Sequence, residues 1–173
     1  GLGLSLPIYV SGPKAVGWWA MFITMLADMT AFMSLVFGFF FYWTADDDFI
    51  AAGRGQPGWG WPTAALVLSL MAWAATLVAQ RWNAADRPLG FALASGVGVL
   101  SGSLAAVAMV AGPWLNHMDP TAHVYPAIVY VLALWTSLHL GVGVVMQLYC
   151  LARRWAGKMT AHFDADIVNV RLY

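Results

Sequence analysis

The sequence predicts an all-α membrane protein, a bundle of four transmembrane helices with both termini in the cytoplasm. Three observations lead there. Of 173 residues, 61% are hydrophobic and 9% charged, whereas soluble domains carry about 25% charged residues. The apolar residues gather into four stretches, each near or above the roughly 20 residues that a bilayer core requires. None of the four alternates over about ten residues as a barrel strand would, so each reads as a helix. Mean hydropathy is +0.72. The chain is short enough for a single domain, 1–173, and shows no long linker, low-complexity tract or internal repeat.

The first span, 17–43, has tryptophan near both ends, at Trp18, Trp19 and Trp43. No cleavable signal pattern precedes it, so either it is expected to act as its own insertion signal or the chain is cut from a longer one. The polar connection TADDDFIAAGRGQPGWG follows. The second span, 61–82, carries Pro62 in its first turn, where a missing N–H costs little. NAADR leads to the third span, 88–115, which opens on Pro88. This span is built differently: ALASGVGVLSGSLAAVA is mostly Ala, Gly and Ser, with Gly98 and Gly102 in GxxxG spacing. Small residues let backbones approach closely in lipid, so this helix is expected to pack against others rather than face acyl chains. NHMDPTAH connects to the fourth span, 125–155, with Pro126 in its first turn.

Charge placement orients the bundle. Lys14, Arg81, Arg87, Arg153, Arg154, Lys158 and Arg171 fall on one side if the spans alternate. Arg54 falls on the other, with Asp46, Asp47, Asp48 and Asp119. The excess of basic residues marks the cytoplasmic side. Eight of the ten tryptophans lie at span ends, as an interfacial aromatic belt requires.

Asp28 breaks the pattern. It stands in ADMTAFMSL with no Lys, Arg or His within a turn. An acid near mid-membrane costs about 2.5–3.5 kcal/mol on insertion scales. It is therefore expected to be protonated, paired, or directed to a hydrated cavity. Two readings follow: a proton-handling site, or a neutral acid hydrogen-bonded to a neighbouring helix for packing. His139, in LWTSLHLGVGV, is the one histidine within a span. At about 1.5 Å per residue, Asp28 lies about 18 Å and His139 about 24 Å from the basic end, so the two are expected to meet across the first and fourth helices. The alternative for His139 is a bond to a backbone carbonyl.

Other chemistry finds little support. A haem held by two histidines lacks its second intramembrane imidazole, and the single cysteine, Cys150, rules out a disulfide framework or a dinuclear copper site. His117, His123 and Asp119 form a loop cluster from which an external zinc site could be built, but their spacing is not specific. No metal or catalytic residue is assigned. Arg153, Arg154 and Lys158 cluster at the basic end of the fourth span, and such groups attract anionic lipid headgroups at about 1 kcal/mol each.

Several stretches resemble one family. VGWWAMFITMLADMTAFMSLVFGFFFYW resembles the helix that opens the five-helix core of haem-copper oxidase subunit III. The pattern D-x-x-x-F-x-S-L in Asp28, Phe32, Ser34 and Leu35 resembles its quinol oxidase branch. SLHLGVG resembles the GxHVxxG signature of the family, and MQLYCLARRWAGKMTAHFDADIVNVRLY the segment that leads into its last helix. The chain is most similar to the subunit III portion of bacterial fused subunit I/III cytochrome c oxidases. That resemblance implies a non-catalytic subunit of a respiratory terminal oxidase in the bacterial inner membrane. Such a subunit packs on subunit I in a complex with subunits I and II, binds structural phospholipid, and supports proton uptake and stability during oxygen reduction. It holds no cofactor of its own; haem and copper sit in its partners, and nucleic acid has no role. It further implies Asp28 as the acidic position of proton uptake, His139 as its partner, and Arg153 and Lys158 near lipid-binding positions. There are departures. Thr136 stands where the family often has a second histidine, the third span has no acid, and the chain reaches Tyr173 where the W-H-F helix is expected to begin. An independent small proton channel and an accessory subunit of nitric oxide reductase are the alternative readings.

Overall fold

A computed structural model of the chain describes residues 11–50 and 56–173; Arg54 lies outside them. The described residues are helical, without strands. After a short 3-10 turn at Gly12–Lys14 come α1 (Val16–Ala45), α2 (Gly60–Ala84), α3 (Pro88–Leu115), α4 (Val124–Trp155) and α5 (Ala165–Leu172). The first four are long and apolar enough to cross a membrane. Helices are the natural form for such segments, because lipid offers no partner for an open backbone N–H or C=O. Each begins and ends within two residues of the span expected from sequence. The short α5 was not expected: its eight residues are too few and too mixed to show as a span.

Three of the four long helices stop in the same way. At Asp86, His117 and Gly157 the backbone turns left-handed, with φ of 51°, 52° and 67°. In each case the next residue's N–H reaches back across the last turn: Arg87 to Trp82 O, Met118 to Pro113 O and Lys158 to Arg153 O. These paired bonds satisfy carbonyls that a helix end would leave open. α4 starts on a different device, with the Tyr125 N–H donating to His123 Nδ1 at 3.2 Å.

α3 lies between α2 and α4 and packs extensively on both. Its small residues make this packing close. A Cβ added at Gly98 would sit 2.5 Å from Gln147 Oε1, and one at Gly102 2.9 Å from Val144 Cγ2. The small-residue face of the third span is thus occupied by helices of this same chain. Across it, Ser137 Oγ of α4 donates to Ala106 O at 3.0 Å.

α1 stands apart. It contributes no buried residue, and its main neighbours are α4 and α5. At the acidic end, Phe49 from the DDDF loop is fully buried. It wedges between Phe39 of α1 and Tyr125 of α4, 5.4 Å from each ring. At the basic end, a network ties the segment after α4 back to the bundle. Asn83 Nδ2 donates to Thr160 O at 3.0 Å, Arg171 to Gln80 at 3.0 Å, and Arg153 pairs with Asp166 at 3.2 Å. Beneath it, Ile167, Val168 and Val170 of α5 are buried.

Candidate functional site: an intramembrane carboxylate and imidazole

Asp28 lies midway along α1, where the surrounding sequence offers it no charge of opposite sign. Its company comes from α4. Asp28 Oδ2 is 2.8 Å from His139 Nδ1. Asp28 Oδ1 accepts from Trp135 Nε1 at 3.1 Å. Both carboxyl oxygens are therefore engaged by groups one helical turn apart on one face of α4, as i and i+4 positions must be. The His139 approach lies off the line of a ring N–H hydrogen bond, and Nδ1 has no other partner among the described residues. The contact is thus a close approach of acid and base. His139 is held from its face as well: the Tyr173 ring stacks on it, with centroids 4.3 Å apart and 12° between planes.

The pair is only partly covered, with side-chain exposure of 29% for Asp28 and 25% for His139. In a membrane that open side meets lipid or another helix. An acid and an imidazole at this distance can share or pass a proton, or stand as an ion pair. Either state avoids an isolated charge in hydrocarbon, where polar groups without partners are costly.

Trp135 and Tyr173 were missed from sequence. Trp135 left a trace: with Trp73, it is one of the two tryptophans away from the span ends, and it lies four residues before His139. Tyr173 left none, since its role depends on α5 folding back into the bundle. Thr136 lies beside this site as one wall of a cavity that His139 also lines.

The remaining candidates go elsewhere. Gly98 and Gly102 form the α3 packing face described above. Arg154 pairs with Asp86 at 2.5 Å and donates to Met159 O at 3.2 Å. Arg153, besides Asp166, donates to Tyr149 Oη and Lys158 O, both at 3.2 Å. Both guanidinium groups thus brace the basic end internally, and Lys158 is exposed beside them. The loop residues do not converge on a metal: among the described residues no group of three His, Cys, Asp or Glu side chains is placed to hold one. His123 caps α4 and lies 3.9 Å from Asp46. Asp119 Oδ1 accepts from the Thr121 hydroxyl at 2.7 Å and the Thr121 amide at 2.8 Å. These two bonds, the hydroxyl first, hold the Asp119 carboxyl below its ordinary value of 3.8.

Fold and site together define a multi-pass membrane protein with an acid–imidazole contact inside its spans. No family model matches the chain, and no curated protein or solved structure matches it either.

Proposed function

We propose that this chain is a non-catalytic, subunit III-like component of a respiratory haem-copper terminal oxidase, in which Asp28 and His139 support proton uptake. The observation that carries the proposal is the 2.8 Å contact between these two side chains on separate membrane-spanning helices. An intramembrane ionisable residue marks a candidate functional site, and the sequence patterns around both residues resemble that family. In this reading both termini face the cytoplasm of a bacterial inner membrane, in accord with the seven basic residues on one side. Haem and copper belong to subunits I and II. This chain offers one intramembrane imidazole, His139, and that is committed to Asp28. Phospholipid fills the open side of α1.

Purification from the native membrane tests the reading. The chain is expected to come away with haem-bearing oxidase subunits. In that complex Asp28→Asn should preserve assembly and slow proton uptake modestly. Purification as a lone species that conducts protons in liposomes would support an independent channel instead. Recovery with a nitric oxide reductase would transfer the same role to that complex.

A further inference from the structure

Asp28 and His139 admit two resting states: a carboxylate facing an imidazolium, or a neutral acid facing a neutral imidazole. Loss of water favours the neutral pair, because it penalises charge. The groups around the pair push the other way. Trp135 Nε1 donates to Asp28 Oδ1 at 3.1 Å, and such a bond strengthens when its acceptor is ionised. Asp28 Oδ2 lies 2.8 Å from His139 Nδ1. Attraction between opposite charges at that distance does not need the linear approach of a hydrogen bond.

The face of the imidazole is covered as well. The Tyr173 ring lies over it, with centroids 4.3 Å apart and 12° between planes. An aromatic face is electron-rich and attracts a cation within about 6 Å of its centre, more strongly where water is scarce. A neutral imidazole gains only ordinary stacking. The fold builds the seat of this ring. Gly143, one turn along α4 from His139, leaves a flat surface, and a Cβ there would touch Tyr173 at 3.5 Å. α5 delivers the ring and is itself held by Arg153 on Asp166 and by Arg171 on Gln80. Nothing on the far side of His139 offsets these contacts. The cavity it lines there is walled on α2 and α3 by uncharged residues, and Gln147 Nε2 donates to Thr76 Oγ1 within it at 2.6 Å.

We infer that the two groups rest as an ion pair with the proton on His139, and that Tyr173 is the positioning residue whose ring keeps it there. With the ring withdrawn, the His139 Nδ1–H bond breaks and Asp28 Oδ2 takes the proton. Both groups then become neutral, and no other reactant is needed. The inference rests on the proton-handling reading of the pair and not on the oxidase assignment.

The test is solid-state nitrogen NMR of the full chain, isotope-labelled at histidine and reconstituted in lipid bilayers at neutral pH. The His139 signal is assigned by its loss in His139→Gln. Both ring nitrogens of His139 are expected to be protonated in the parent and in Tyr173→Phe, which keeps the ring. Pentafluorophenylalanine at position 173 keeps the ring's shape and reverses its charge distribution. It should shift the ratio of ion pair to neutral pair about tenfold toward the neutral pair, and Tyr173→Leu should act in the same direction. A role in packing alone would leave the fluorinated ring without effect, and that result would overturn the proposal. So would a neutral His139 in the parent, or a Tyr173→Phe variant that behaves as the fluorinated one does, which would move the effect to the hydroxyl. A neutral resting pair whose carboxyl still responds to pH would end this inference and leave the proton-handling reading standing. A pair in which neither group responds to pH would end both.

Discussion

A carboxylate is tolerated in this bundle because α4 presents two groups to it at once. Trp135 satisfies one oxygen and His139 meets the other. Removing the indole donor leaves Asp28 Oδ1 without a partner, so Trp135→Phe should destabilise the fold by about 1–3 kcal/mol. Denaturant unfolding in micelles, read by circular dichroism, measures this. An unchanged midpoint would mean that lipid or water replaces the indole. Asp119 offers a pH counterpart outside the membrane. Its carboxyl titrates lower in the folded turn than in the unfolded chain. The contribution of its Thr121 bonds is therefore fully present above the ordinary value of 3.8 and is lost as pH falls through the lower, folded value. The amide resonance of Thr121 should therefore titrate with a midpoint below the ordinary value of 3.8, and Thr121→Ala, which removes the hydroxyl donor, should move the Asp119 midpoint back toward it.

Helix ends and helix faces carry the next level. At the C-terminus of α3 a left-handed residue is required, and the sequence supplies His117 at φ 52°. A side chain there costs about 1–2 kcal/mol, partly offset by the entropy that glycine loses on folding. His117→Gly should therefore stabilise the protein by about 0.5–1 kcal/mol, read as a raised thermal midpoint. On the α3 face the expectation reverses. Gly98→Ala drives a methyl into the Gln147 carboxamide, which must then leave Thr76, at a cost of about 1–3 kcal/mol in the same assay. Both glycines of the GxxxG pair could be picked out in the sequence, because a dense run of small residues in an apolar span favours close helix contact over lipid exposure. The residues they face, Gln147 and Val144, could not be named. Which face of α4 turns inward is decided by packing, and α4 is apolar nearly all round. α5 was hidden for another reason. The contacts that hold it and the segment before it come from Arg153, Asn83 and Gln80, in α4 and α2, so no local period announces it.

For the molecule as a whole, α1 is the element held most lightly. Helices in lipid gain no hydrophobic drive toward one another, so small-residue packing and polar contacts decide where they sit. α2, α3 and α4 have the packing. α1 has no buried residue and is placed by three attachments: the Phe49 wedge, the Asp28 contact at mid-span, and α5, whose Asn169 lies against Gly17. The four spans were readable in the sequence because bilayer thickness imposes their length. The meeting of Asp28 and His139 was readable because their depths nearly match. The Tyr173 stack and the Phe49 wedge were not, since both come from segments that look like solvated loops until the chain turns back. Proton exchange between Asp28 and His139 within the membrane is the property on which the proposed role rests, and pH-dependent infrared difference spectroscopy of the reconstituted protein examines it most directly. A carboxyl C=O stretch that comes and goes with pH, vanishes in Asp28→Asn and changes in His139→Leu is the predicted result. A spectrum with no such band, or one indifferent to His139→Leu, would contradict it.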